Sequence, residues 1–176
     1  TINKQSNMKE LSLESLKENV FSMIGKEWML VTAGTTEHFN MMTASWGGIG
    51  YLWDKPVAFV FVRPERHTYK FTEEHDKMTL GFMGDDKEMR KLYALLGTKS
   101  GRDIDKMHLA GLTPVASPGG SVMFEEARLT IEGHKLFVSD MREEDFLDKA
   151  ILERWYYNYG GYHRTYVIEI ERILVK

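Results

Sequence analysis

There is no cysteine in these 176 residues, which removes disulfide frameworks, thiolate zinc sites, iron–sulfur clusters and cysteine nucleophiles together. Any redox chemistry therefore needs a borrowed cofactor. Charge of one sign is lacking too. The chain carries 23 Lys and Arg against 26 Asp and Glu, a net charge of −3, so no global positive field exists to hold nucleic acid or an anionic membrane surface. No run approaches the ~20 consecutive apolar residues of a membrane span, and the N-terminus lacks the charged and apolar regions of a signal peptide. The expectation is a cytoplasmic protein with no nucleic-acid or membrane partner. No repeat or Pro/Gly linker divides the chain, so one domain is expected over residues 8–176, preceded by a polar, aperiodic arm at 1–7.

Several catalytic signatures are missing as well. The six histidines (His38, His67, His75, His108, His134 and His163) include no HExxH and no pair one helical turn apart with a carboxylate partner, so no metal site is expected. There is no GxSxG, and Ser100 has no base visible in the sequence. Gly47-Gly48-Ile49-Gly50 lacks the spacing of a dinucleotide fingerprint and the helix that should follow it, and no phosphate-loop lysine motif occurs.

What is present reads as mostly strand. Leu13, Leu16, Val20, Phe21 and Ile24 recur at helical spacing and predict an entry helix from Ser12 to Ile24, with Ser12 as cap and Gly25 as stop. Trp28 to Ala33 and His38 to Ser45 then read as a hairpin. Val57 to Val62 (VAFVFV) is the strongest strand, stopped by Pro64. A short helix is expected at Thr68 to His75, capped by Thr68, then a strand at Met78 to Met83 and a helix at Lys87 to Leu96 closed by Gly97. Glu126 to Phe137 predicts a long strand bulged at Gly133, Glu143 to Tyr156 a helix, and Tyr162 to Leu174 a closing strand. Strand follows strand and the helices arrive as insertions. The spacing thus predicts about six strands in a mainly β fold, a small antiparallel barrel with short helices rather than a doubly wound parallel sheet.

Three segments carry possible chemistry. Asn40 to Trp46 (NMMTASW) ends a strand in small and hydroxyl residues before two glycines, leaving backbone N–H groups open to an anion. Arg63-Pro64-Glu65-Arg66-His67-Thr68 follows the best strand and sets two guanidiniums and an imidazole at a helix start, which suits a phosphate. Thr98-Lys99-Ser100-Gly101-Arg102-Asp103 again offers small donors and positive charge after a helix end. Taken singly, each is equally what an ordinary strand end, a solvated arginine pair or a helix-terminating loop looks like.

Taken together, MLVTAG (29–34), NMMTASWGG (40–48), KPVAFVFVRPERHTYKF (55–71), TKSGRDIDK (98–106) and AGLTP (110–114) resemble, in order, the flavin reductase-like family of flavoredoxin-type, FMN-binding split barrels. The resemblance spans nearly everything from residue 8 to 171. It implies a split β-barrel homodimer holding FMN non-covalently near the subunit interface, with NADH or NADPH as a transient electron donor. Position by position, it implies flavin contacts at Asn40, Thr43, Ala44, Ser45 and Trp46. It also implies phosphate contacts at Arg63, Arg66, His67 and Thr68, with Lys99 and Ser100 adding to them. Gly160-Gly161-Tyr162-His163 is similar to the family's Gly-Asp-(Tyr)-His signature, which makes His163 the candidate catalytic residue beside flavin and nicotinamide. Gly161 stands in place of the usual Asp, Ile168 in place of a Gly, and Leu96 and Gly133 where relatives often carry Cys. The function this implies is transfer of electrons from NAD(P)H through FMN to flavin or another acceptor. The alternatives are an FMN-binding electron carrier or redox sensor without its own NAD(P)H turnover, and a barrel that uses the pocket for haem or for no cofactor, with His163 as the axial ligand.

Overall fold

A computed structural model of the chain describes residues 7–100, 105 and 110–176. Its first strand, β1 (Lys9–Leu11), leads through a single 3-10 turn to α1 (Val20–Ser22), which widens into a π-turn over Met23–Glu27. The apolar periodicity from Leu13 to Ile24 is therefore not one helix. Asn19 breaks it by accepting from the Ser22 backbone N–H at 3.2 Å and capping α1, and Gly25 lies inside the wider turn rather than ending it.

The strands β2 (Met29–Thr35), β3 (His38–Ala44), β4 (Gly47–Leu52) and β5 (Lys55–Val62) follow without interruption, then α2 (His67–Glu74), β6 (Lys77–Phe82) and α3 (Lys87–Thr98). A small hairpin, β7 (Pro114–Ala116) and β8 (Val122–Phe124), turns through Ser117-Pro118-Gly119-Gly120. The chain closes with β9 (Leu129–Asp140), α4 (Lys149–Trp155) and β10 (Arg164–Val175). Of the arm expected at 1–7, only Asn7 is among the described residues.

The described residues hold ten strands where about six are expected. β4 was hidden by its three glycines, which normally weaken a strand. Here they are used: a Cβ at Gly48 would meet the Phe59 ring at 3.3 Å and one at Gly50 at 3.6 Å, so the bare backbone lets Phe59 lie across it. α2 starts one residue earlier than expected, and Thr68 is not its cap. Arg66 holds that position without a side-chain bond. α3 is capped by Asp86, which accepts from the Met89 N–H at 2.9 Å, and runs through Gly97 instead of stopping there.

The main sheet has the order β3-β2-β6-β9-β10-β5-β4, antiparallel throughout, with β1 on the far half of β10. This is a split barrel. The sheet curls round a core of Val31, Met42, Val60, Leu80, Ile131 and Tyr166. Its two terminal strands, β3 and β4, are joined in sequence by Ser45-Trp46 but are not hydrogen-bonded to each other. Long β9 and β10 bend past two register shifts, one opposite Gly133, where a Cβ would run into the Glu169 carbonyl. A second core, with Leu30, Met41, Tyr93, Leu96 and Phe124, fills the space under α3 and the small hairpin.

Candidate functional site

Where the barrel splits, an open cleft enclosing about 470 Å³, solvent included, is lined by Met42, Thr43, Ala44, Ser45, Trp46, Phe61, Arg63, Arg66 and His163. The sequence separates these residues by more than a hundred positions. The sheet order brings them together because β10 lies beside β5, pairing Arg164 with Val62. The end of β5 thus faces the start of β10, with the end of β3 across the split.

The two arginines have different environments. Arg63 is spoken for: Nη1 donates to the Gly161 carbonyl at 3.0 Å, Nη2 to the Trp155 carbonyl at 2.6 Å, and the guanidinium lies 4.8 Å over the Tyr156 ring. Arg66 instead keeps a buried Nη2 with no hydrogen-bond partner among the described residues, and burial pulls its pKa down. A buried guanidinium N–H without an acceptor costs on the order of 1–3 kcal/mol, so an anionic acceptor at this end of the cleft would fit it.

Asn40 and Thr68 meet each other and do not line the cleft: Asn40 Nδ2 donates to Thr68 Oγ1 at 2.9 Å in a buried bond that fixes the first turn of α2 against β3. His67 follows Arg66 and packs edge-on against Phe71. Thr43 donates to the Tyr93 carbonyl at 2.6 Å, and a Cβ on Gly97 would meet Thr43 Cβ at 3.3 Å, which sets the end of α3 at the cleft's edge. Lys99 caps that helix by its backbone and is exposed, and neither it nor Ser100 lines the cleft. Residues 101–104 and 106–109, which hold Arg102 and Asp103 of the expected loop, lie outside the described residues.

His163 is 8% exposed. Burial first, and the Arg63 charge second, push its pKa down to about 4 against the opposing pull of Glu65. The imidazole is therefore neutral across the physiological range. Trp46, at 41% exposure the most open of the lining side chains, stands over the mouth, edge-on to Trp155 at 4.9 Å and 5.4 Å from the His163 ring. The glycines before His163 leave room for the Glu65 carboxylate, and Gly160 also takes a backbone conformation that other residues rarely adopt. Gly160 has φ +105° and a Cβ there would meet Glu65 at 3.0 Å; at Gly161 the nearest approach would be 2.7 Å to Glu65 Oε1, which accepts the Gly161 N–H. A carboxylate already occupies the neighbourhood in which an Asp at 161 would sit, so Glu65 and Gly161 form a matched pair. Tyr156, Glu65 and Trp155 are not expected as site residues from the sequence; their place here follows from the fold of 155–161 over Arg63.

The model of the flavin reductase like domain matches residues 21–175. A comparison with curated protein sequences finds no match. Among solved structures, the chain is similar to an FMN-binding protein from Thermus thermophilus, at 19% identity over 94% of this chain and 79% of that one, TM-score 0.63. A flavoredoxin from Desulfovibrio vulgaris (Miyazaki F) is 20% identical over 96% and 76%, TM-score 0.64. An NADH:FAD oxidoreductase from Streptomyces globisporus C-1027 is 12% identical over 85% and 75%, TM-score 0.61.

Proposed function

The chain belongs to the flavin reductase-like family, and on that premise we propose that it is an FMN-dependent oxidoreductase taking electrons from NADH or NADPH and passing them to flavin or another acceptor. The observation that carries this reading is the buried Nη2 of Arg66, unpartnered among the described residues, at a cleft whose lining includes the small residues Thr43, Ala44 and Ser45 and the rings of Trp46 and Phe61. That donor set fits FMN, whose phosphate supplies the acceptor and whose ring suits the Trp46 and Phe61 side.

When bound, FMN supplies the two-electron and one-electron chemistry that no side chain of this protein can perform. The protein supplies position and electrostatics. Arg66 would hold the phosphate beside the start of α2, with His67 and Thr68 in the same turn, and Lys99 and Ser100, which do not line the cleft, would add to it from the end of α3. Thr43, Ala44 and Ser45 would offer backbone and hydroxyl groups to the ring edge, with Asn40 bracing the strand behind them through Thr68. Trp46 and Trp155 would keep water from one side of the mouth, and neutral His163 would present a hydrogen-bonding nitrogen to flavin and nicotinamide. Arg63 builds the wall under His163.

A second reading, an FMN-binding electron carrier or redox sensor without its own NAD(P)H turnover, is favoured by Gly161 and the carboxylate of Glu65 beside it. The two separate by spectroscopy. With FMN bound and oxygen excluded, the visible flavin absorption is expected to bleach within seconds of adding NADH or NADPH; bleaching by dithionite alone selects the carrier.

We further propose a homodimer. Trp53 and Phe137 are exposed and in contact, ring centroids 6.0 Å apart, and register puts Phe137, Val167 and Phe59 in one row of the sheet's outer face beside Phe61 of the cleft. An apolar band continuous with the site is suited to a second copy. Of the aromatic run 155–159, Tyr156 is buried and Trp155, Tyr157 and Tyr159 are exposed. Light scattering at micromolar concentration with FMN present is expected to return twice the chain mass, falling to one chain for Phe137→Glu. A monomer mass for the unmodified chain overturns the proposal.

Among the described residues no helix is long and apolar enough to cross a membrane.

A further inference from the structure

His163 has a partner that the flavin reading does not require. Its Nδ1 lies 2.7 Å from the Tyr156 hydroxyl in a buried hydrogen bond, and among the described residues its Nε2 makes none. Tyr156 sits at the end of α4, 6% exposed, held edge-on to the imidazole and stacked on Tyr162 at 5.0 Å. Arg63 locks it there by bonding carbonyls on both sides, Trp155 before it and Gly161 after it, while lying over its ring. The backbone of His163 is pinned as well, its carbonyl accepting from the Met141 N–H at 3.1 Å.

We infer that Tyr156, clamped by Arg63, is a positioning residue that fixes His163 as a single tautomer, with Nδ1 accepting from the phenol and the proton on Nε2, facing the cleft. The chemistry of the hydroxyl decides the direction. A buried phenol must place its proton on an acceptor, and two are in reach: the imidazole Nδ1, and the Met141 thioether Sδ at 3.5 Å. A ring nitrogen accepts far better than a thioether, so the proton goes to Nδ1 and the imidazole's own N–H is left on the opposite side of the ring. Burial raises the Tyr156 pKa, which keeps the phenol a donor. The groups that face the imidazole are Tyr156 from α4 and, from the link between β5 and α2, Arg63 and Glu65. The Arg63 charge, second to burial, helps keep a second proton off the ring.

The consequence for the site is a fixed hydrogen-bond donor that is neutral at working pH. It gives direction to a flavin or nicotinamide oxygen without adding charge. The use made of that donor rests on the flavin reading, but the tautomer does not, and it is measured on the flavin-free chain.

Two-bond proton–nitrogen NMR of uniformly 15N-labelled protein reads the tautomer directly, with the His163 pattern identified by its loss in His163→Gln. The expected result is one neutral ring, Nδ1 bare and Nε2 protonated, unchanged from pH 8 to pH 5. Tyr156→Phe keeps the ring stacking and removes only the hydroxyl. It is expected to give averaged nitrogen shifts from both tautomers, with the other five histidines unmoved. Met141→Leu is expected to leave the His163 pattern as it is. An unmodified chain with its proton on Nδ1, or a Tyr156→Phe chain that retains the single Nε2–H form, overturns the inference. Failure of the protein to bind FMN leaves these spectra untouched, so the two proposals fail separately.

Discussion

Arg66→Ala is expected to weaken FMN binding by about one to two decades in Kd, the worth of one charge-assisted contact of roughly 1.5 to 3 kcal/mol. Riboflavin, which lacks the phosphate, is expected to bind the variant nearly as well as the parent chain. Arg63→Ala should behave differently, because both its outer nitrogens already serve carbonyls of 155–161. Its removal is expected to loosen the wall that carries Tyr156 and His163, and so to affect FMN and riboflavin alike. Arg66→Lys should rescue only part of the loss, since a compact ammonium cannot reproduce a guanidinium's planar fork. Equilibrium titration by flavin fluorescence checks all four comparisons. If Arg66→Ala lowers both flavin affinities equally, the guanidinium is not on the phosphate.

The second large effect concerns stability rather than the site. Glu132 is fully buried on β9, where Arg172 of β10 pairs with it and the Ser117 hydroxyl and Gly119 N–H of the small hairpin complete its bonds. Removing the cation leaves a carboxylate that water cannot reach. Arg172→Met, which keeps much of the side chain's length, is expected to cost about 3 kcal/mol of unfolding free energy. The double change Arg172→Met with Glu132→Leu should recover only part of it, because it removes the stranded charge but leaves the Ser117 hydroxyl and the Gly119 N–H without their acceptor. Urea denaturation with unchanged slope measures both. A loss for Arg172→Met within about 0.5 kcal/mol, the usual range of surface changes, would mean that the hairpin bonds alone satisfy Glu132.

Where one physical signal dominated, the sequence was a sound guide. VAFVFV is β-branched and aromatic apart from Ala58 and forms most of β5; the two runs around Gly34-Thr35-Thr36 are the β2–β3 hairpin. β4 was illegible because GGIGYL has strand value only opposite Phe59, a partner that pairing supplies. The helix expected from Ser12 to Ile24 failed because the spacing of Leu13, Leu16, Val20 and Ile24 records packing against the barrel, with Phe21 exposed, while the side chain of Asn19 decided where helix could begin.

The site divides in the same way. Small residues at the end of β3 and guanidiniums after β5 were visible as types, and the fold gathers most of them at one cleft. Their separate tasks were not visible. Arg63 and Arg66 lie three residues apart and look alike on paper, yet one is consumed by a loop a hundred residues away and the other is left with a free buried nitrogen. Asn40, expected at the flavin ring, and Thr68, expected at the phosphate, are hydrogen-bonded to each other.

The most direct test of the central claim, that this cleft is built for a flavin carrying a phosphate, is a paired titration of the unmodified protein with FMN and with riboflavin. The account predicts tighter binding of FMN by about tenfold or more, the contribution of at least one charge-assisted contact. Equal affinities for the two flavins, or no binding of either, would contradict it.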